Sequence, residues 1–457
     1  MNKKRARSYY QEVELPLSPV TNMLATLDLI IILSVVALHS LDATCSRAVL
    51  SHFILGNVNS YKQQDWEQTF DLASKASIDS FVFNIGRDSW TETQLDLAFS
   101  VAPNYFTKIC FSFDLAVASW DTQNVIETLK KYATQPGHYK YDGKYLVSTF
   151  DGGARANVDW VKVKDGVPNI FVVPHLPPNV IPPGIDGVLN WNAWPTRDNK
   201  PIDGNSSTVD DYIMEEELTE GQAYATLVSP WSFTDFSGNG VTPPKNWIFK
   251  SDELLVTRWN QMLKFASDKP GAHIDLVELY SWNDYGESNY QNDISKSLDD
   301  EFSGGSEAWC KGFKHDGWRL LNIPFTKAFK AEELSVTTKH IDTEMVVFHH
   351  RPFPAKTLCT GQKDRILGYD IVPDQVTIIS MLKSPAQLVI KSGNKITNAQ
   401  AQAGLDTNRV HMELGSQTVT VMRNGTKCGE VTSTVVVKDS CDTPNFNANV
   451  ETVFLKC

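Results

Sequence analysis

Past residue 47, the chain alternates between short apolar runs and longer amphipathic stretches. Eight runs are rich in Val, Ile, Leu and Phe without strict polar alternation, which is typical of parallel strands buried on both faces. These predicted strands span residues 49–55, 80–85, 108–113, 145–150, 170–176, 187–192, 225–229 and 276–281. Amphipathic patterns between several of them predict helices at 63–76, 92–102, 122–132 and 252–266.

The repeated order of strand and helix predicts an α/β fold, a (β/α)8 TIM-type barrel over residues 44–334. A doubly wound open sheet is the alternative for such a pattern. Gly-rich turns at helix starts are typical of nucleotide-binding open sheets, and neither a GxGxxG motif nor a P-loop occurs here. The barrel is therefore the favoured prediction.

From about Ser335, the pattern changes to short apolar runs separated by turn signals such as Asn424-Gly425. The runs span 344–348, 375–379, 387–391, 417–422 and 431–437. Short strands with frequent turns predict a β-sandwich over 335–457, after a linker at 331–339. Such a sandwich either binds carbohydrate or covers a flank of the barrel, and the lack of an evident aromatic triplet favours the second role.

The N-terminus has the pattern of a targeting segment. Basic residues within 3–7 precede an apolar run at 27–41. This run is shorter than the roughly 20 residues that a membrane-spanning helix needs, which favours a signal peptide within 1–43 over a signal anchor. We predict cleavage after Ala43, and hence export without a stable membrane span unless the segment stays uncleaved.

Cysteine usage agrees with export. Four of the seven Cys lie in the last quarter of the chain, at Cys359, Cys428, Cys441 and Cys457. In an exported protein they predict disulfides, and four Cys allow three pairings that the sequence does not distinguish. The sequons at Asn205 and Asn424 are likewise consistent with a secreted surface.

Composition argues against several classes of partner. The net charge of −12 argues against nucleic acid, because binding phosphates needs a basic face. No CxxC pair or Cys/His spacing typical of zinc ligands occurs, so we predict neither a metal nor a cofactor. The 12 Trp, 14 Tyr and 22 Phe suit carbohydrate stacking and a large core equally well.

The stretch at 276–290 carries the strongest chemical signal. Asp284 and Glu287 follow the last apolar run, with Trp282, Tyr285 and Tyr290 around them. A protonated carboxyl and an ionised one are the groups that break a glycosidic bond, and aromatic rings offer flat surfaces to sugars. The alternative is that the two acids only cap a helix or face solvent.

Other polar and aromatic residues follow the remaining predicted strands. In a barrel, residues at the carboxyl ends of the strands line one site. The candidates, in chain order, are His52, Asn84, Asp114, Asp151, His175, Asn190, Trp191, Trp194 and Trp231. Structural roles remain alternatives for some of them, since Asp151 precedes two Gly residues typical of a turn and His52 fits a barrel interior. Asp114 ends a run too apolar to leave a carboxylate unpaired, which favours function there.

Several segments together resemble the fungal α-1,3-glucanase, or mutanase, family of glycoside hydrolases. They are HFILGN at 52–57, FSFD at 111–114, YLVSTFDG at 145–152, SPW at 229–231, KNW at 245–247 and SWNDYGES at 281–288. The resemblance covers most of residues 49–330 in order. It implies a barrel with an accessory β-domain, hydrolysis of α-1,3-glucan of the fungal wall with inversion, and an acid pair at Asp284 and Glu287.

We expect a secreted or wall-located monomer that cleaves internal bonds of α-1,3-glucan. Inversion requires about 6.5 to 9.5 Å between the carboxyl groups, against about 5 to 5.5 Å for retention. We expect Glu287 to be the general acid because of its longer side chain, and Asp284 the base, although the reverse assignment stays open. Asp114 and Asp151 would bind sugar hydroxyls or tune the acid.

Trp191, Trp194, Trp231 and Trp282 are the expected stacking surfaces, with Tyr285 beside them. The alternative function is a non-catalytic glucan-binding or wall-structural protein on the same fold, because fold does not determine function. A membrane-anchored wall-remodelling enzyme is a third class, and it differs only in whether the segment at 27–41 is cleaved.

Overall fold

The computed structural model describes residues 47–457 apart from 153–156, 178–179, 198–199, 205–210, 212–215, 220, 237–244, 269–273, 293, 295–301, 303–304 and 363. The predicted signal segment within 1–43 and the Asn205 sequon lie outside the described residues. In the described part of the chain, no helix has the length and apolar character needed to cross a bilayer.

Among the residues that the structure describes, thirteen strands precede the C-terminal region. In chain order they are β1 (Ala48–Ile54), β2 (Ser80–Ile85), β3 (Lys108–Asp114), β4 (Lys140–Tyr141), β5 (Lys144–Phe150), β6 (Ile170–Pro174), β7 (Gly187–Asn190), β8 (Thr196–Arg197), β9 (Lys200–Pro201), β10 (Ala223–Val228), β11 (Phe233–Asp235), β12 (Asn246–Ile248) and β13 (Ile274–Leu279). The eight predicted strands are β1, β2, β3, β5, β6, β7, β10 and β13, so all are confirmed, with ends shifted by a residue or two at most.

These eight strands and β4 form one sheet, whose neighbours run in the order β4, β5, β3, β2, β1, β13, β10, β7, with β6 also paired to β5. The pairs among the eight strands are parallel. Strands β6 and β7 also meet. Asp186 N donates to Val172 O at 2.8 Å, and a parallel bridge joins His175 to Leu189.

The helices in chain order are α1 (Gln63–Lys75), α2 (Thr91–Val101), α3 (Thr122–Tyr132), α4 (Trp160–Gly166), α5 (Leu254–Asp268), α6 (Glu307–Cys310) and α7 (Asp316–Lys330). The four predicted helices correspond to α1, α2, α3 and α5, and are confirmed. Helix α3 shows why the amphipathic pattern predicted these helices. Its N-cap Asp121 accepts from Asn124 N, and its buried face carries Val125 and Leu129.

The two faces of the first sheet pack into different apolar clusters. On β1, Phe53 joins a cluster that contains Trp66 and Phe70 of α1, whereas Leu50 joins the other cluster. Each of the eight parallel strands contributes to that second cluster, through Leu50, Val82, Cys110, Leu146, Val173, Leu189, Leu227 and Leu276. Burial on both faces explains the unbroken apolar runs of these strands.

The C-terminal region holds β14 (Met345–His350), β15 (Gln375–Leu382), β16 (Ala386–Ser392), β17 (Lys395–Ala401), β18 (Gly404–His411), β19 (Gln417–Arg423), β20 (Thr426–Thr432) and β21 (Asn449–Phe454). They form two four-stranded sheets, in the orders β18-β15-β14-β21 and β17-β16-β19-β20. All their pairings are antiparallel. Side chains from both sheets, such as Phe348 and Ile390, share one apolar cluster.

Two expectations for this region need correction. The predicted run at 431–437 is mostly not a strand, because β20 is Thr426–Thr432 and follows directly on the turn at Asn424-Gly425. Strands β17 and β18 were not predicted, since most of their side chains are exposed or half-buried and polar, so they carry little apolar periodicity. The predicted linker at 331–339 ends in a short 3-10 helix, Thr338–His340.

The C-terminal strands pack against α7 and against residues that follow the first sheet. A Cβ added to Gly317 of α7 would lie 2.7 Å from Val450 of β21, so glycine is needed for this close approach. His315 contacts Tyr290 O at 2.8 Å through one ring nitrogen and Ala448 O at 2.9 Å through the other. Disulfides join Cys359 to Cys441 and Cys428 to Cys457, which selects one of the three pairings.

Candidate active site

The candidate acid pair lies on a tightly bonded loop directly after β13. The loop begins at the cis peptide between Tyr280 and Ser281. Asp284 N donates to Ser281 Oγ at 2.7 Å, and Glu287 N donates to Asp284 Oδ1 at 2.9 Å. Asn283 fixes the loop to the end of β1, because its side chain accepts from Ile54 N at 2.8 Å and donates to Ile54 O at 3.0 Å. Both acids are thus held by local hydrogen bonds.

Asp284 occupies an environment that disfavours its ionised form. Only 8 % of the residue is exposed. Burial first, and then the negative charge of Glu287, raises the pKa of Asp284 to about 6. Tyr280 donates its hydroxyl proton to Asp284 Oδ2 at 3.1 Å, which opposes the shift. Asp284 can therefore hold a proton under mildly acidic conditions.

Glu287 is paired with a cation. Lys245 Nζ lies 2.6 Å from Glu287 Oε1, and the Glu287 side chain is 16 % exposed. The pKa of the Lys245 ammonium is raised, mainly by the charge of Glu287. A cation at this distance favours the ionised carboxylate. The backbone carbonyl of Glu287 also accepts from Phe233 N at 2.9 Å, which ties the loop to β11.

An aromatic cluster surrounds Trp191, which is half-buried after β7. Its ring centroid lies 4.7 to 5.3 Å from the rings of His52, Phe150, His175 and Tyr280. Since Tyr280 also hydrogen-bonds Asp284, this cluster adjoins the acid pair. The predicted candidates His52, His175 and Trp191 are therefore brought together.

His52 is paired with a second buried acid. Its Nδ1 lies 2.7 Å from Oε1 of Glu278, and both side chains are almost fully buried. Sequence reasoning missed Glu278, although a carboxylate inside the apolar run at 276–281 is the signal that could have found it. It also missed Lys245, which lies in the KNW segment that was noted only for its resemblance.

Asp114 and Asp151 stand at the ends of β3 and β5. Burial raises the pKa of Asp114, and the charge of Asp151 raises it further. The hydrogen bonds that its carboxylate accepts from Ala116 N and Val117 N, and the charge of His52, act in the opposite direction. Asp151 adopts a φ of 54°, and its N donates to His175 Nδ1 at 3.1 Å. Both acids therefore lie near the aromatic cluster, at the carboxyl end of the parallel strands.

His175 is held in its neutral form. Burial lowers its pKa to about 4. Because Nδ1 accepts from the backbone of Asp151, the neutral ring carries its proton on Nε2. His175 therefore has one N–H left to donate. Asn84, at the end of β2, is buried and pairs in register with Ile54 at the end of β1, next to His52.

Four of the predicted site residues are placed in the core instead. Trp231, Trp282 and Tyr285 are each 0 % exposed, so their rings present no free face to a sugar. Trp231 packs on Trp318 and donates Nε1 to Phe446 O at 3.1 Å, at the contact with the C-terminal region. Apolar packing and stacking use the same residue types, which is why the sequence did not separate them.

Asn190 is the fourth such residue. It donates to Asp211 Oδ1 and to the hydroxyl of Tyr224, each at 3.0 Å, within the buried ion pair between Asp211 and Arg258. Trp194 is largely buried but lies next to the site. It is 9 % exposed, and its ring contacts Tyr280 edge-on at 5.4 Å.

In the described part of the chain, no group of three or more His, Cys, Asp or Glu residues is arranged to hold a metal ion.

The sequence model of glycosyl hydrolase family 71 matches residues 45–456. The chain belongs to glycosyl hydrolase family 71. A mutanase of Penicillium rubens is 36% identical over 414 residues, which are 88% of this chain and 88% of that protein. The glucan endo-1,3-alpha-glucosidase agn1 of Schizosaccharomyces pombe is 32% identical, over 88% of this chain and 93% of that protein.

A third relative is the ascus wall endo-1,3-alpha-glucanase of Schizosaccharomyces pombe. It is 25% identical over 387 residues, which are 80% of this chain and 86% of that protein. The resemblance drawn from the SWNDYGES and KNW segments is thus confirmed at the level of the family, and the match extends into the C-terminal strands. The protein is a glycoside hydrolase.

Proposed function

We propose that this family 71 glycoside hydrolase cleaves α-1,3-glucan of fungal walls, at internal bonds and with inversion. The observation that carries the proposal is the contrast between its two carboxyl groups: Asp284 is buried with a raised pKa, and Glu287 is paired with Lys245. Two titratable groups whose surroundings favour opposite protonation states can serve as acid and base. The names of the relatives, mutanase and endo-1,3-alpha-glucosidase, support the choice of substrate.

The geometry favours Asp284 as the general acid and Glu287 as the base. This reverses the expectation drawn from side-chain length. A proton is more readily kept on the buried Asp284, whereas the ammonium of Lys245 favours an ionised Glu287. The different electrostatic surroundings of the two acids support this assignment.

In the proposed reaction, Asp284 gives its proton to the glycosidic oxygen as the bond to the anomeric carbon breaks. Glu287 takes a proton from a water molecule that attacks the anomeric carbon from the opposite face. Lys245 holds the carboxylate of Glu287 through their 2.6 Å ion pair, and Tyr280 orients the carboxyl of Asp284 through its 3.1 Å hydrogen bond. The reaction is a single displacement, so the product is the β-anomer.

Sugar binding falls to the residues at the same end of the parallel strands. Trp191 is half-buried and so keeps part of its ring for stacking. Asp114 and Asp151 would accept hydrogen bonds from sugar hydroxyls, and His175 would donate through Nε2. The His52–Glu278 pair would hold the rings of Trp191 and Tyr280 in place, since His52 contacts both rings.

We further propose that the first sheet is a closed (β/α)8 barrel over 44–334 and that 335–457 is a β-sandwich. Closure is supported by the contact of β6 with β7 at His175 and Leu189, and by the cluster to which all eight strands contribute. The contacts of Gly317 and Trp231 with the C-terminal region support a sandwich that covers the barrel's flank. A secreted or wall-located monomer remains our proposal for the whole protein.

The test is to measure reducing ends released from insoluble α-1,3-glucan, with β-1,3-glucan and starch as comparison substrates. The proposal expects release from α-1,3-glucan alone, and proton NMR of the first products should show the β-anomer. A double variant, Asp284→Asn with Glu287→Gln, controls for contaminating glucanase. Binding to α-1,3-glucan without any release above that control would instead support the non-catalytic function.

A further inference from the structure

A backbone contact joins the C-terminal region to β12, the short strand that begins directly after Lys245. Leu367 forms a parallel bridge with Trp247, the middle residue of β12. Ile248 N donates to Leu367 O at 2.9 Å, and Leu367 N donates to Asn246 O at 3.2 Å. The opposite edge of β12 pairs with β11. Both edges of β12 are therefore hydrogen-bonded, one of them by the C-terminal region.

The two strands β11 and β12 determine where the ion pair between Lys245 and Glu287 is placed. Lys245 O accepts from Phe236 N at 2.7 Å, next to the end of β11. Phe233 of β11 donates its N–H to Glu287 O at 2.9 Å, and Phe233 is the register partner of Ile248 in β12. Strand β11 thus holds the backbone of Glu287, while β12 presents the Lys245 ammonium that lies 2.6 Å from its carboxylate.

Gly368, the residue after Leu367, makes the close approach to β12 possible. A Cβ added there would lie 2.3 Å from Ile248 O and 3.0 Å from Cβ of Pro201. Gly368 also has a φ of +89°, which favours glycine over residues with a side chain. The first of these contacts is with a backbone oxygen, so a larger residue at 368 would displace β12 itself.

The C-terminal sheet fixes the segment that carries Leu367. Arg351 directly follows β14, and its Nη2 donates to Pro373 O and to Asp374 Oδ1, each at 2.8 Å. Strand β15 begins at the next residue, Gln375. The segment before β15 is thus tied to the residue that follows β14, so its position depends on the fold of the C-terminal region.

Burial of the Leu367 side chain does not account for the contact. That side chain belongs to a residue that is 47 % exposed, whereas the neighbouring Ile366 is 1 % exposed and packs into the large apolar cluster. Ile366 therefore anchors the segment, and Leu367 contributes its two backbone hydrogen bonds to β12.

We propose that Leu367 and Gly368 are positioning residues for the hydrolytic reaction, whose backbone holds β12 so that Lys245 stays within ion-pair distance of Glu287. The proposal rests on the proposed function, because it takes the role of Glu287 as the base from there. Both residues act through Lys245 and touch no reacting atom. The C-terminal region then takes part in catalysis, in addition to covering a flank of the barrel.

Two variants displace or weaken the contact by different means. Gly368→Ala introduces the Cβ that collides with Ile248 O, and Leu367→Pro removes the N–H that donates to Asn246 O. Gly361→Ala is the matched control. Gly361 has a φ of +74°, and no described atom lies within 4 Å of a Cβ built there, so this variant has a similar backbone cost without the collision.

Each variant is made in the full chain, alone and combined with Lys245→Met. Steady-state kinetics on a soluble α-1,3-linked oligosaccharide give kcat and KM, and denaturant unfolding shows whether each variant is folded under the assay conditions. If Gly368→Ala does not fold, Leu367→Pro carries the test, because it adds no atom between Gly368 and β12.

We expect Gly368→Ala and Leu367→Pro to lower kcat by about three- to tenfold and to change KM by less than about twofold, because a misplaced charged group slows the chemical step more than it weakens binding. Gly361→Ala should keep kcat within about twofold of the parent. In the Lys245→Met background, Gly368→Ala should lower kcat by less than about twofold further, because the ion pair that it disturbs is already lost.

Losses that multiply in the double variant would overturn the proposal, since they would show that Gly368 acts independently of Lys245. Parent-like kcat in both Gly368→Ala and Leu367→Pro, or an equal loss in Gly361→Ala, would overturn it as well. A parent enzyme without activity on α-1,3-glucan, or an unchanged kcat in Lys245→Met alone, would instead overturn the proposed function or the role of Lys245 in it, and this proposal with them. The single variants therefore distinguish the two failures.

Discussion

Lys245 Nζ lies 2.6 Å from Oε1 of Glu287, and this ion pair separates the two catalytic candidates electrostatically. Asp284 is three residues earlier on the same loop, and burial and the charge of Glu287 raise its pKa to about 6. The negative charge of Glu287 thus helps to keep a proton on Asp284, while Lys245 makes that negative charge stable. Burial and the neighbouring negative charge thus allow Asp284 to hold a proton under mildly acidic conditions.

Removing the positive charge of Lys245 should lower kcat more than it changes KM. We expect Lys245→Met to lower kcat by at least about tenfold, because Glu287 loses the ion-pair partner that holds its carboxylate in place, whereas KM should change little. Lys245→Arg keeps a cation and should retain more of the rate. Steady-state kinetics on a soluble α-1,3-linked oligosaccharide measure both constants. A rise in KM with unchanged kcat would place Lys245 in substrate binding instead.

The pH profile should report the protonation of Asp284. A general acid must carry its proton, so kcat/KM should fall as the pH rises through about 6 in the free enzyme. The hydroxyl of Tyr280 lowers the pKa of Asp284. Tyr280→Phe should therefore raise that pKa and move the falling limb to higher pH. A limb that moves to lower pH, or does not move, would contradict the role given to Asp284.

Trp191 and Trp231 were both predicted to be stacking surfaces, but their substitution should have different effects. Trp191→Ala should raise KM by roughly tenfold, because it removes a half-buried ring beside the acid pair. Trp231→Ala should lower the free energy of unfolding by about 3 to 5 kcal/mol, because that ring is fully buried. Kinetics and denaturant unfolding of both variants check the contrast. The reverse pattern would show that the stacking surface is misplaced.

The two disulfides predict which cysteines of the described residues carry a free thiol. Cys110 and Cys310 are buried free thiols, whereas Cys359–Cys441 and Cys428–Cys457 are bonded. Peptide mapping of denatured, unreduced protein, alkylated before digestion, should find label on Cys110 and Cys310 and on none of the four C-terminal Cys. Loss of either bridge, as in Cys428→Ser with Cys457→Ser, should cost about 2 to 5 kcal/mol of unfolding free energy. Label on all four C-terminal Cys would refute the pairing.

The first sheet could be predicted because parallel strands buried on both faces leave unbroken apolar runs, as in FVF at 81–83. The C-terminal strands β17 and β18 left no such signal, since their side chains are mostly polar and partly exposed. In the site, the sequence placed the two candidate acids just after the last apolar run, and the structure has them on the loop after β13. The role of Lys245 could not be predicted, because its contact with Glu287 spans 42 positions along the sequence.

The same limit applies to the roles of the two acids. Sequence offered only side-chain length as a guide, and length favoured Glu287 as the acid. The assignment changes once burial and the position of Lys245 are known, since both depend on residues far apart in the chain.

The leaving-group dependence of two variants tests the central claim most directly. Asp284→Asn and Glu287→Gln should each lower kcat/KM on α-1,3-glucan by about 10² or more. An α-1,3-linked oligosaccharide with a dinitrophenyl leaving group needs no proton from the enzyme. On it, the account predicts that Asp284→Asn recovers most of its rate and Glu287→Gln does not. Recovery by Glu287→Gln alone would contradict the account and return the role of general acid to Glu287.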